Sequence, residues 1–72
     1  MAFIWRETGH ETWQELRAET ERHLQYLCAI ISALKPREAE FVEKMESSCQ
    51  ADEQWTPTAK QLFWLRDLHT EY

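Results

Sequence analysis

One glycine, Gly9, and two prolines, Pro36 and Pro57, are the only strong turn formers in this chain. Strand hairpins need tight turns built on glycine or Asn-Gly pairs, and their strands alternate polar with apolar residues. No segment here has that alternation. Each proline stands instead just before a run with helical spacing. Proline suits the first turn of a helix, because its ring presets φ and its missing N–H has no partner there anyway. The chain is therefore expected to be all-α: a small three-helix bundle with one long N-terminal helix and two shorter helices. Residues 1–72 are expected to form a single helical domain, whose small core needs good helix packing.

The first helix is expected from about Gly9 to Ala33. Two overlapping capping pairs mark its start, Thr8 with Glu11 and Thr12 with Glu15. At 100° per residue Trp13, Leu16, Thr20, Leu24, Leu27, Ile31 and Leu34 share one stripe. Arg17/Glu21 and Glu19/His23 are i,i+4 pairs. Tyr26 to Ile31 is apolar on most of the circumference and has to be covered on more than one side, by the later helices or by a second copy of the chain. A helix of that span would be about 37 Å long.

Lys35-Pro36 ends this element. The second helix is expected from Pro36 to Ser48, with Phe41, Val42, Met45 and Cys49 inward and Glu40/Lys44 paired outside. In the third, Thr56 is the expected N-cap, Pro57 the first turn and Trp55 a staple onto the helix. Leu62, Leu65, Leu68, His69 and Tyr72 share its inner face, Phe63 opposes them and Trp64 sits at the flank. Phe3-Ile4-Trp5 fits either an extended or a helical segment.

The net charge of −5 arises in one stretch, where Glu38, Glu40, Glu43, Glu46, Asp52 and Glu53 face the single base Lys44. Acids and bases balance elsewhere. Localised acidity steers association with a basic surface, whereas charge that serves only solubility is spread out. It also disfavours direct nucleic-acid binding, which draws on a basic stripe to release counterions; Lys35, Arg37 and Lys60 are too few for one.

Little else points to chemistry. His10, His23 and His69 are far apart, and there is no His-x-x-x-His or Cys-x-x-Cys spacing, so no metal site is expected. Glu19 with His23 is read as a surface ion pair rather than a ligand set. Cys28 lies in an apolar run and is expected in the core, while Cys49, near a helix end, is expected to be partly exposed; no disulfide is expected. A Cys49–His69 nucleophile pair would need the fold to bring them together, with no oxyanion loop to serve it. One glycine cannot build a phosphate loop. The expectation is a protein that is not an enzyme and uses no cofactor. The apolar start Met1 to Arg6 is too short for a signal peptide or a membrane span, so a cytoplasmic protein with no membrane partner is expected.

In the second half, Leu34, Pro36, Glu38, Phe41 and Val42 are followed by a polar connection and by Thr56, Lys60, Gln61, Trp64 and Leu65. This resembles short proteins of bacteriophages and prophages, often near replication or recombination functions. Their pattern is Leu-x-Pro/Ser-x-Glu, then Phe-Val/Leu, then Thr-x-x-Lys-Gln-x-x-Trp-Leu. Thr56 stands one residue further from Lys60 than that pattern has it, although Thr58 offers a nearby hydroxyl. The resemblance spans about half the chain, leaves out the first helix, and implies an accessory protein without catalytic residues.

The expected function is binding. A small acidic phage-type protein would inhibit or modulate a nucleic-acid-handling protein complex of the host or phage, in the manner of an anti-CRISPR. Glu40, Glu43, Glu46, Asp52 and Glu53 would steer it to a basic partner, with Phe63 and Trp64 as apolar anchors. Its place would be the host cytoplasm. The alternative is a homo-oligomeric structural module, a homodimer for instance, that buries the apolar section Tyr26 to Ile31.

Overall fold

Thr8 to Tyr72 are described by the computed structural model; the Phe3-Ile4-Trp5 segment lies outside the described residues. Helix α1 spans Trp13–Ala29, a 3-10 turn follows at Ile31–Ala33, α2 spans Pro36–Ala51 and α3 spans Ala59–Glu71. Among the described residues there is no strand. Helix α1 packs on both α2 and α3.

The first helix is shorter than its sequence period suggests. Gly9 has a φ of +89°, in the left-handed region, so it lies outside the helix. Thr12 is the cap instead: it is extended, and its Oγ1 accepts the Glu15 N–H at 3.3 Å. The Glu15 carboxylate reaches back one residue further than a capping box requires and accepts the Glu11 N–H at 3.2 Å. At the other end, Ile30 leaves helical geometry and the chain tightens into the 3-10 turn from Ile31. Helix α1 therefore has 17 residues, about 25 Å, against 16 in α2 and 13 in α3. It is not a long helix beside two short ones.

Helix α2 runs on to Ala51, past the expected end at Ser48. Its start has half of a capping box: Glu38 Oε1 accepts the Lys35 N–H at 3.0 Å, while the lysine ammonium has no lone pair to accept with. Its end is held by a residue of α1. Arg17 Nη2 donates to the Cys49 carbonyl at 2.8 Å, and Nη1 donates to those of Asp52 and Trp55 at 2.7 and 2.8 Å. A cation on the last carbonyls of a helix satisfies orphan acceptors and complements the macrodipole.

Helix α3 begins two residues later than the Thr56 cap predicts. Thr58 is the N-cap, in a complete capping box: the Gln61 N–H donates to Thr58 Oγ1 at 3.2 Å and the Thr58 N–H donates to Gln61 Oε1 at 2.8 Å. Thr56 has no such partner three residues on, since that position is Ala59. Pro57 precedes the cap and is fully buried. Trp55 packs half-buried against the core.

The core joins Leu16, Leu24, Leu27, Leu34, Val42, Met45, Cys49, Leu62, Leu65 and Leu68. Each fully buried leucine contributes about 1.5–3 kcal/mol. Thr20 is buried with its hydroxyl donated to the Leu16 carbonyl at 2.8 Å. Trp13, Ile31 and Phe41 are half-buried rather than central. The two cysteines exchange their expected places: Cys49 is buried and Cys28 is half-exposed, both as free thiols. The apolar section at the end of α1 is largely covered within the chain, with Leu27 in the core and Cys28, Ile30 and Ile31 packed against it.

Candidate functional site

Helix α2 directs its carboxylates outward and toward α1. Glu40 and Glu43 are exposed and Glu46 is half-buried. Glu43 and Glu46 line a shallow cleft with Cys28 and Ile31. Glu46 continues into a second cleft of about 530 Å³, where Glu53 and Glu21 join it. Glu21 was legible in the sequence only as the partner of Arg17, which it is, at 3.1 Å. Asp52 caps the C-terminus of α2, and its Oδ1 accepts the Gln54 N–H at 2.9 Å. Among the described residues, only Glu40 of the five predicted acids has an ion-pair partner, Lys44 at 3.7 Å.

Of the predicted acids and anchors, Glu40 and Trp64 line one cleft, while Glu43, Glu46 and Glu53 line others. Trp64 is 40% exposed and Phe63 is 44% exposed. As neighbours on α3 they point about 100° apart. Trp64 stacks on Phe41 of α2, with centroids 4.0 Å apart, and sits beside Arg37, Glu40 and Lys44. Phe63 faces outward, with the Arg66 guanidinium carbon 5.7 Å from its ring centroid.

A polar cluster that spacing did not reveal joins α1, α3 and the turn before α1. Glu19 accepts from Arg66 Nε at 2.6 Å and Nη2 at 2.9 Å, from His10 Nε2 at 2.8 Å and from His23 Nε2 at 2.8 Å. Arg66 Nη2 also donates to the Thr8 carbonyl at 2.9 Å. The Arg66 hydrogen bonds, supported by those of the two histidines, hold the Glu19 carboxyl down at about 2, against the opposing effect of burial. Glu19 and His23 are thus a pair as expected, but with both side chains 14% accessible the pair is half-buried rather than fully on the surface.

An ionised carboxylate only accepts, so Nε2 of His10 and Nε2 of His23 carry protons. The remaining nitrogen of a neutral ring then accepts. At His10 the partner of Nδ1 is the Thr8 hydroxyl, at 2.6 Å. At His23 it is Nδ1 of His69, at 2.7 Å. His69 also stacks on Tyr26, whose hydroxyl donates to the Tyr72 carbonyl at 2.8 Å. The Tyr72 hydroxyl donates to Glu38 Oε1 at 2.6 Å, which lowers the carboxyl and raises the phenol from their ordinary values. These contacts tie α3 to both other helices.

His69 is engaged here, whereas Cys49 lies beneath the Arg17-bonded end of α2. Burial pushes both thiols above the ordinary cysteine value, and Glu46 and Glu43 raise Cys28 further; this is the reverse of nucleophile activation. Among the described residues no group of three His, Cys, Asp or Glu is arranged to hold a metal ion, and no helix is long and apolar enough to cross a membrane. No protein-family model, curated protein or solved structure matches this chain.

Proposed function

We propose that this protein acts by binding, presenting the acidic edge of α2 to a basic surface of a nucleic-acid-handling protein complex and inhibiting or modulating it. The observation that carries the reading is the state of the carboxylates. Glu43, Glu46, Asp52 and Glu53 have no ion-pair partner among the described residues, and Arg17, which lines one cleft with Glu46 and Glu53, is turned onto backbone carbonyls and Glu21. Unneutralised carboxylates on one edge raise the rate of encounter with a basic partner and imitate a phosphate row. The likeness of the second half to short phage and prophage proteins supports an anti-defence role of the anti-CRISPR kind, in the host cytoplasm.

The test pairs the wild-type chain with the charge reversal Glu43→Lys/Glu46→Lys as baits for host-cell lysate. The reversal should keep the helical circular dichroism of the wild type and lose a nucleic-acid-binding complex that the wild type retains at low salt and releases at high salt. Equal retention by both would refute the electrostatic reading. Self-assembly is the second reading, favoured by the exposed rings of Phe63 and Trp64; a strictly monomeric species in sedimentation equilibrium at high protein concentration would remove it.

A further inference from the structure

Trp64 lies in surroundings opposite in charge to the acidic edge. Lys35, Pro36, Arg37 and Glu38, at the start of α2, line a cleft of about 570 Å³ with its indole. The cleft continues one turn along α2, where Arg37, Glu40, Phe41 and Lys44 meet the same indole. Lys60 stands four residues before Trp64 in α3, which puts the two on one helix face. The floor is therefore apolar, made by Pro36, Phe41 and Trp64, and cations outnumber carboxylates on the rim.

Two carboxylates also line this region, Glu38 and Glu40. Glu38 is engaged by the Lys35 N–H and the Tyr72 hydroxyl, and Glu40 lies 3.7 Å from Lys44. Against Lys35, Arg37 and Lys44 they leave the lining with one net positive charge, to which Lys60 adds from α3. On a chain with a net charge of −5, this is a local reversal of sign beside an exposed tryptophan.

We propose that the α2/α3 cleft around Trp64 is a docking site for an acidic peptide segment of a partner protein, one that carries a large apolar side chain between carboxylates. The apolar side chain lies against Trp64 and Pro36, and the flanking carboxylates meet Arg37, Lys35 and Lys44. Tryptophan and arginine are the residue types that dominate binding energy at protein interfaces, and arginine binds carboxylate through two parallel N–H donors. A single nucleic-acid strand fits less well. It needs successive stacking platforms along a continuous basic groove, whereas this cleft offers a single exposed indole and a rim no longer than the first turns of α2. The site uses none of Glu43, Glu46, Asp52 and Glu53, so it stands independently of the function proposed above.

The test selects peptides from a random heptapeptide display library on the immobilised full-length protein, then titrates a selected peptide into nitrogen-15-labelled protein. The expected peptides hold acidic residues on both sides of an aromatic or long aliphatic one. Their binding should move the Trp64 indole resonance, weaken with salt, and fall roughly ten-fold or more in Arg37→Glu and in Trp64→Ala. Arg37 is exposed, so Arg37→Glu keeps the test valid if Trp64→Ala disturbs packing on Phe41. Neutral or basic selected peptides, or binding indifferent to Arg37→Glu, would overturn the proposal. So would a short oligodeoxythymidine that moves the Trp64 indole at lower concentration than the peptide, or a shift of that indole with protein concentration alone, which would give the cleft to a second copy.

Discussion

Glu19 and Arg66 are 47 residues apart in the chain and share two hydrogen bonds, of 2.6 and 2.9 Å, that join α1 to α3. The same carboxylate holds His10 and His23, so one acid of α1 sets the position of three basic side chains. With Glu19 only 14% accessible, its loss leaves those donors poorly solvated.

Replacing Glu19 by alanine should cost about 2–4 kcal/mol in urea unfolding. Arg66→Ala should cost less, because that side chain is 36% accessible, and the double mutant should show a coupling above about 1 kcal/mol. The acid dependence follows from the depressed carboxyl. Its folded value of about 2 lies below the ordinary 4.5, so the stabilisation is present above the ordinary value and is lost as pH falls toward 2. The full contribution is roughly 3 kcal/mol. Urea midpoints measured down that range should fall more steeply for the wild type than for Glu19→Gln; parallel slopes would show that Glu19 does not carry the effect.

The His23–His69 contact holds one proton. His23 Nε2 donates to Glu19, and the two Nδ1 atoms stand 2.7 Å apart, a distance that fits a single N–H between them. Two N–H groups could not face each other at that distance. Nitrogen-15 imidazole spectra should therefore show one protonated and one unprotonated Nδ1 across this contact, and Glu19→Gln should alter both resonances. Two Nδ1 atoms in the same protonation state would refute the shared proton.

Arg17 acts at a distance in sequence as the C-terminal cap of α2. Arg17→Met should cost about 1–2 kcal/mol and increase amide exchange in the last turn of α2, around Ser48 to Ala51. Arg17→Lys should restore little, because one ammonium cannot reproduce the planar fork that reaches three carbonyls. Unchanged exchange in both variants would remove the capping role.

The two threonines before α3 separate by their partners. Thr58→Ala removes a capping box and should destabilise by about 1 kcal/mol in thermal unfolding. Thr56→Ala should have the smaller effect. The reverse order would restore Thr56 as the cap.

Local signals in the sequence were enough for the all-helical character, for the break at Pro36, for the inward leucines of α1 and α3 and for the outward carboxylates of α2. Each depends on residues within one or two turns of each other, where propensity and periodicity act directly. Helix ends were less legible, because competing caps such as Thr56 and Thr58 differ only in what stands three residues on, and because the end of α2 depends on an arginine more than 30 residues away. Spacing marks Glu19 with His23 as an i,i+4 pair, but nothing in it ties His10, His69 or Arg66 to them. Short-range periodicity sets which helices form and which of their faces are apolar. That His10, His23 and Arg66 share one carboxylate, and that Trp64 meets Phe41 and the basic residues at the start of α2, follows from how α1, α2 and α3 pack around a common core.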